Sequence, residues 1–411
     1  MKKNILFKLW KFPRLSETFI LAQIITAIKC GYKVNILVEE LLEINETTHG
    51  KLIEKYNLTD KVIIEDYGIP NRKFYRILKA LLLIIINISN LKYLKAFIEQ
   101  HRKFELRHIY IFHFFRKLKN FDIVHVQYGT NGKPLDILKK TGSFPPKLIV
   151  SFHGHDVYFP INGIIENNGY YDDLFKYADK LIANTTYLKN LLIELEAPAW
   201  KIETIPVTVN INFFKPVKLE INTSETIRII TVGRLEIFKG QHLGIECISK
   251  LVKNGYNVHY TIVGKGSQEE VLKNLIKECS LNNYITLTGR KSQEDIKELL
   301  QNHDIFLMTS ITDPNYGVES QGLVTAEAQA CGLPVIGFDS GGVKYTVMDG
   351  ETGFIVPEFD VAAMTKRIEE LIDNVKLRQE MGKEAVIYVE NHFSQNKIND
   401  IWCKTYNELS K

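Results

Sequence analysis

Short β-branched runs alternate with longer helical stretches along nearly all of this 411-residue chain. That alternation constrains the fold more than any other feature. Strands separated by helices do not pair as hairpins; they join through crossovers into parallel sheets. In the first half the clearest strands are Asn4–Leu9, Val34–Val38, Ile123–Val126, Leu148–Phe152 and Lys180–Ala183. In the second half Ile227–Val232, Tyr260–Val263, Ile285–Leu287, Ile305–Met308 and Pro334–Gly337 repeat the theme. Helical patterns lie between them, as at Gln241–Asn254, Gln268–Cys279 and Gln293–Asn302, the last with Ser292 as N-cap and acids in its first turn. So long a chain exceeds one core and suits two domains of about 200 residues each. The polar connector Pro206–Pro216 is the expected seam, dividing the chain into 1–206 and 207–392. The amphipathic stretch 393–411 carries no strand and is expected to cross back to the first domain.

Composition removes several classes. With 45% apolar and 24% charged residues the chain is neither disordered nor a low-complexity scaffold. A net charge of +4 gives no reason to invoke nucleic acid. The charge is uneven, however: residues 71–120 hold twelve Lys/Arg and two Asp/Glu, a surplus of ten cations that leaves the rest of the chain at −6. Five cysteines (30, 247, 279, 331 and 403) lie far apart with no metal-ligand spacing. Disulfides are not needed at this size, so free thiols in a reducing cytosol are expected. The N-terminus turns polar too early for a signal peptide, and the longest apolar run, Ala80 to Ile86, is far short of the roughly 20 residues of a spanning helix.

The chemistry is concentrated in the glycine punctuation of the second half. Thr231-Val-Gly-Arg-Leu-Glu-Ile-Phe-Lys-Gly240 follows a strand and precedes a helix. Gly233 and Gly240 allow close backbone approach, while Arg234 and Lys239 supply two cations suited to a diphosphate. An ordinary strand-to-helix turn with solvated basic residues explains that loop equally well by itself. Ile262-Val-Gly-Lys-Gly-Ser267 is a second, weaker glycine turn. Glu319-Ser-Gln-Gly-Leu-Val-Thr-Ala-Glu327 carries more weight, because Gly332 and Pro334 end a helix that must begin near Gly322. Free amides at Gly322, Leu323 and Val324 would attract phosphate. Glu319 and Glu327 could then border one ligand and accept bonds from its hydroxyls. A solvated acid beside a helix-dipole acid is the plainer account, but the alanines around Glu327 argue against full solvation. A glycosidase pair is the other chemical option, and the adjoining phosphate-type loop disfavours it.

Together these residues resemble the family 4 retaining glycosyltransferases of the GT-B fold. The resemblance rests on Gly233-Arg234…Lys239-Gly240, Glu319 with seven residues between it and Glu327, and Gly332-Leu-Pro-Val335. Ser340-Gly-Gly-Val-Lys-Tyr-Thr-Val-Met-Asp-Gly350 and Gly353-Phe-Ile-Val-Pro357 follow in order. Phe12-Pro-Arg-Leu-Ser-Glu-Thr-Phe-Ile20 and Ser151-Phe-His-Gly-His-Asp156 are similar to a narrower branch, the transferases of colanic acid, amylovoran and related bacterial surface polysaccharides. Ser16, Glu17 and Thr18 replace the glycine pair of the glycogen synthase branch, and Val207-Thr-Val-Asn210 replaces the usual linker motif.

The resemblance implies an α/β GT-B fold, two Rossmann-like domains facing a central cleft, the first binding acceptor and the second binding a UDP- or GDP-sugar. It implies that Arg234 and Lys239 neutralise the donor diphosphate, Glu319 holds sugar hydroxyls, and Gly233 and the amides of 322–324 meet sugar or phosphate. Glu327 would bind the ribose, and Arg290 would lie near the base. His153 would reach the donor sugar, with Asp156 and Ser16–Thr18 lining substrate. Taken singly, His153 reads as a backbone-satisfied strand-end histidine, His155-Asp156 as a capping pair, and Ser16–Thr18 as a helix N-cap. No metal-binding D-x-D is seen, so no essential metal is expected. The basic stretch 71–120 suits an anionic bilayer face, which would make the protein cytoplasmic and peripheral, with a lipid-linked saccharide acceptor such as a polyprenyl-diphosphate oligosaccharide or a lipopolysaccharide core. Ordinary domain helices with solvated lysines explain the stretch equally well. The rival functions are a GT-B nucleotide-sugar epimerase and a non-catalytic GT-B-like binding subunit.

Overall fold

The protein is described from a computed structural model, which defines residues 3–14, 17–43, 50–217, 226–313 and 317–410. It forms two compact units. The first comprises Met1–Ala183, Lys189–Ile205 and Asn399–Lys411; the second comprises Asn184–Leu188 and Pro206–Ile398.

In the first unit seven strands form one parallel sheet: β1 (Asn4–Phe12), β2 (Lys33–Leu41), β3 (Val62–Ile64), β4 (Ile123–Gln127), β5 (Lys147–Phe152), β6 (Lys180–Ala183) and β7 (Ile202–Thr204). Their order is β3-β2-β1-β4-β5-β6-β7. Ile5 of β1 lies opposite both Val34 of β2 and Ile123 of β4, so β1 is an inner strand. Helices cover both faces of such a sheet, which is why its inner strands read as near-continuous apolar runs. All five residues of β4 are buried, including the polar His125 and Gln127.

In the second unit six strands, β8 (Ile227–Val232), β9 (Val258–Val263), β10 (Ile285–Leu287), β11 (Ile305–Met308), β12 (Val335–Phe338) and β13 (Gly353–Val356), order as β10-β9-β8-β11-β12-β13. They are parallel throughout. The helix Gln293–Gln301 starts at Ser292 with a full capping box: the Ser292 hydroxyl accepts from Asp295 N–H while Asp295 accepts from Ser292 N–H.

The connector after Pro206 belongs to the second unit. Gln321 grips it with both amide atoms, its Oε1 accepting from Val207 N–H at 2.9 Å and its Nε2 donating to Val207 O at 3.1 Å. From Asn399 onward the last helix, Gln395–Leu409, is part of the first unit. There Asn399 Oδ1 accepts from Thr26 Oγ1 at 2.6 Å, Tyr32 donates to Asn407, and Tyr406 meets His125 Nδ1 at 2.9 Å.

One expectation fails here. Cys30 and Cys403 form a disulfide across 373 residues, whereas five free thiols were expected. The two cysteines meet only because the returning helix packs beside the end of helix Thr18–Lys29, a contact that linear spacing does not reveal. Cys247, Cys279 and Cys331 are free.

Candidate active site

In each sheet the chain order reverses once, between β1 and β4 and between β8 and β11, the kind of position at which loops leaving the strand carboxyl ends diverge and such sheets hold ligands. Glu17 follows β1, and Lys239 and Glu319 follow β8 and β11, whereas His153 follows the neighbouring β5 and Arg290 follows β10.

In the second unit the loop after β8 is anchored at every turn. Gly233 N–H donates to Val263 O at 2.9 Å. Gly240 sits in the left-handed region (φ 62°), where a Cβ would lie 2.0 Å from the Thr309 carbonyl oxygen, so only glycine fits. The Thr309 hydroxyl donates to Lys239 O at 2.8 Å, and Ile311 N–H donates to Phe238 O at 2.8 Å, fastening the loop to the end of β11. Lys239 thereby points at Glu319, with which it forms an ion pair. Arg234, exposed on the same loop, has its guanidinium 5.7 Å from the centre of the Phe238 ring; the Lys239 ammonium lies 5.1 Å from that ring. The two cations are held around one aromatic ring.

Glu319 is fixed from the other side. Its Oε1 accepts from Gly322 N–H at 3.1 Å, and its carbonyl accepts from Gly342 N–H at 2.7 Å. A Cβ on Gly342 would lie 1.9 Å from the Ser320 carbonyl oxygen, so the glycine pair after Ser340 is there to let two loops touch. Burial opposes ionisation of Glu319, but Lys239 and the Gly322 and Gln321 amides outweigh it and hold the carboxyl below its ordinary value. The acid is therefore an anion throughout the neutral range.

The helix Leu323–Ala330 begins where expected, with Gly322 left-handed (φ 73°) at its N-cap. Among the described residues the amides of Leu323 and Val324 meet no acceptor, leaving two donors at the positive end of the helix dipole. Glu327, one turn in, is partly accessible and has no hydrogen-bond or ionic partner among the described residues. Burial alone pushes its carboxyl up to about 8. Such a group gains from any ligand that donates hydroxyls to it. Arg290 is exposed beyond β10, in a loop whose Gly289 carbonyl accepts from Gly264 N–H at 3.0 Å; this joins the loops after β10 and β9. Among the described residues no group of three or more His, Cys, Asp or Glu is placed to hold a metal ion.

In the first unit the expected residues form an aromatic and histidine cluster rather than a charged loop. His153, just past β5, has Nε2 2.9 Å from Gln127 Oε1, and Gln127 Nε2 in turn donates to Gln23 Oε1. That relay fixes the imidazole as an Nε2–H donor. The His153 ring packs 4.8 Å from Phe19 and 4.6 Å from Tyr128. Burial lowers its pKa to about 4, against the pull of Asp156, so the ring is neutral at physiological pH. Asp156, expected to line substrate, is instead fully buried, accepting from Gly129 N–H at 2.7 Å, His153 N–H at 2.9 Å and Gly154 N–H at 3.0 Å. It shapes the loop that presents His153. Glu17 accepts from Arg14 at 2.5 Å and Tyr128 Oη at 3.2 Å, and burial, outweighing Arg14, raises its pKa. Glu17 is the N-cap of helix Thr18–Lys29 but makes no side-chain cap bond, so the expected capping role is absent there. Ser16 lies outside the described residues.

Sequence reasoning missed Gln127, Tyr128 and Gln321. Tyr128 takes a left-handed backbone (φ 67°) directly after β4, a strained position of the kind that collects at functional sites. Its only sequence signal is a Tyr-Gly step at the end of a buried strand.

Comparison with known proteins bears on the family and the fold. The family "Glycosyl transferases group 1" matches residues 214–386, and "Glycosyltransferase Family 4" matches 63–213. The chain is 27% identical over 402 residues to the putative colanic acid biosynthesis glycosyltransferase WcaL of Escherichia coli strain K12, covering 96% of this chain and 97% of that protein. It is 28% identical over 391 residues to the amylovoran biosynthesis glycosyltransferase AmsK of Erwinia amylovora, covering 94% and 93%. Among solved structures, Anabaena Alr3699/HepE in complex with UDP and glucose superposes with a TM-score of 0.71 at 17% identity, covering 98% of this chain and 99% of the other. With two parallel-sheet Rossmann-like units, family matches that adjoin from 63 to 386, and full-length likeness to curated transferases, the chain is an enzyme that belongs to the family 4 glycosyltransferases of the GT-B fold.

Proposed function

We propose that this enzyme moves a sugar, with retention of anomeric configuration, from a UDP- or GDP-sugar to a lipid-linked saccharide acceptor during synthesis of a bacterial surface polysaccharide. The observation that carries the reading is the Lys239–Glu319 ion pair set against the two unpartnered amides of helix Leu323–Ala330. A cation, a fixed anion and free N–H donors within one strand-end crevice suit a ligand with both phosphates and hydroxyls.

Lys239 and Arg234 take the diphosphate, and their charge counts most as the sugar–phosphate bond breaks and negative charge builds on the leaving oxygen. Glu319 accepts from sugar hydroxyls, and Glu327 accepts from the ribose. Gly233 gives the backbone room to approach the phosphates, while the backbone around Arg290 meets the base. His153, held neutral with its Nε2–H donated to Gln127 Oε1, orients a hydroxyl of the sugar through the remainder of its ring. Glu17 and Thr18 border the acceptor. The acceptor hydroxyl attacks the anomeric carbon on the face the diphosphate leaves, and its proton passes to a leaving phosphate oxygen. No enzyme nucleophile is needed, so positioning and electrostatics supply the rate. The colanic acid and amylovoran biosynthesis for which WcaL and AmsK are named supports the polysaccharide context, and the UDP and glucose bound to HepE support the donor class.

A thermal-shift screen of UDP- and GDP-sugars, followed by nucleotide release with and without acceptor and NMR of the product anomer, tests the reading. Acceptor-dependent release with retained configuration is the expected result. Interconversion of the sugar without release would mean an epimerase, and an inverted product would remove the mechanism. No shift with any nucleotide sugar would mean that the crevice binds something else.

A further inference from the structure

The outer helices of the first unit carry a surface that glycosyl transfer does not use. Helix Lys73–Ile86 is apolar for nearly its whole length, yet only Ala80 and Leu83 are buried. Its inner side packs on helix Arg107–Lys117, and Tyr110 donates a hydrogen bond to Arg76 O at 2.6 Å. The opposite side presents Phe74, Leu78, Leu81, Leu82, Ile85 and Ile86 to solvent, each more than half exposed. At about 100° per residue these span about 140° of the helix circumference, and Ile77, 42% exposed, widens the apolar face to about half. Ile88, 66% exposed, continues the patch past a 74° bend into the second helix, which runs to Glu99. Contiguous apolar exposure on this scale marks an interaction surface.

The flanking charges decide the partner. Arg72, Lys73, Lys92, Lys95, Arg102 and Lys103 are all exposed around the patch, and Glu99 is the sole acid between residues 71 and 104. A second copy of the chain would bring the same cations face to face across a two-fold axis, which the charge opposes. An anionic lipid surface is complementary to both the apolar face and the cationic rim. Neither helix can span a bilayer: Lys73–Ile86 has 14 residues, about 21 Å against a hydrocarbon core of about 30 Å. Among the described residues no single helix is long and apolar enough to cross a membrane.

We infer that Lys73–Glu99 is an in-plane membrane anchor. The apolar half of Lys73–Ile86 and the side chain of Ile88 sink among the acyl chains of one leaflet, and the surrounding lysines and arginines sit level with anionic headgroups. The bend at Asn87 lets both helices lie in that plane. Its buried Nδ2 donates to Leu83 O at 2.7 Å and meets His113 Nδ1 at 2.9 Å, which holds the bend in place.

The test uses the full chain and vesicles of phosphatidylcholine with about 30% phosphatidylglycerol, and it reads no transfer, so it is separate from the glycosyl chemistry. Wild type is expected to co-sediment with these vesicles and to do so about tenfold less with pure phosphatidylcholine. Leu81→Ser with Ile85→Ser should cut binding about tenfold or more while leaving thermal unfolding unchanged, because both side chains are already exposed. Ile85→Trp should bind as wild type with blue-shifted emission. Equal binding by the double serine variant, or no emission shift on vesicles, would overturn the inference. So would a concentration-dependent dimer in sedimentation velocity that Leu82→Asp dissociates while vesicle binding is absent.

Discussion

The two sheets share one topology and solve the same problem with opposite materials. In the second unit the strand-end crevice is built from glycine turns, paired charges and bare helix amides: Gly240 against Thr309, Gly342 against Ser320, Lys239 against Glu319. In the first unit the equivalent strand ends carry rings and a neutral histidine: His153 between Phe19 and Tyr128, steadied by Gln127 and Gln23. Under the proposed function the two materials suit two ligands: a crevice of fixed charge would serve one whose charge grows during reaction, and a neutral aromatic one would serve sugar faces and hydroxyls, which need shape and orientation instead.

The sharpest way to break that contrast is to remove charge from one side and hydrogen bonding from the other. Lys239→Ala or Glu319→Ala should lower kcat by about 10²–10³ with the fold intact, as loss of a single transition-state contact does. The double variant should cost little more than either single one, because the two residues act as a pair. His153→Ala should cost less than either and should fall more heavily on KM. Steady-state kinetics with the donor found by the nucleotide-sugar screen measures all four. A His153 variant as damaged as Lys239→Ala would erase the proposed distinction between the halves.

The backbone side of the contrast can be tested through stability. Gly240→Ala places a Cβ 2.0 Å from a backbone oxygen in the left-handed region and should destabilise the second unit by roughly 2–4 kcal/mol. Calorimetry should show its transition lowered while that of the first unit stays put. Ala at the solvent-facing Gly255, where nothing lies within 4 Å of a Cβ although φ is +86°, should cost only about 1 kcal/mol of backbone strain.

The same contrast explains how much was legible in sequence. A charged phosphate crevice needs glycine where backbones touch and cations at fixed offsets, so Gly233, Arg234, Lys239, Gly240 and Glu319 stand out in the chain, as does the start of the helix at Gly322. The inner strands announce themselves as apolar runs, because parallel sheets bury both faces. Among the edge strands Ile285–Leu287 is read in the sequence, but Val62–Ile64 and Ile202–Thr204, equally three residues long, are not, and Gly353–Val356 opens on a glycine. The first unit's cluster is nearly invisible. Gln127 and Tyr128 matter because they meet His153 across strands, and Asp156 looks like a ligand contact until its three backbone donors are seen. The Cys30–Cys403 link, at 373 residues, likewise depends on a contact that only the fold creates.

The smallest effect is also the most diagnostic, because Glu327 and His153 should titrate in opposite directions. Burial raises Glu327 from 4.5 to about 8. Between those values the folded protein holds a proton that the unfolded chain has released, so Glu327 makes stability fall as pH rises from about 4.5 to about 8. Burial lowers His153 from 6.5 to about 4. In that window the unfolded chain holds the extra proton, so His153 makes stability fall as pH drops from about 6.5 to about 4. Whole-protein curves mix these with Glu17, which is raised, and Glu319, which is lowered. Single variants separate them. Glu327→Gln should gain Tm over wild type at about pH 8 and gain nothing near pH 4.5, whereas His153→Gln should gain relative to wild type as pH falls from about 6.5 towards 4. If the ribose hydroxyls bond to Glu327, they favour its anion, so nucleotide should bind more tightly as pH rises towards about 8 in wild type and show no such trend in Glu327→Gln. A flat nucleotide affinity in both proteins would move the ribose away from Glu327 while leaving Lys239 and Glu319 in their roles.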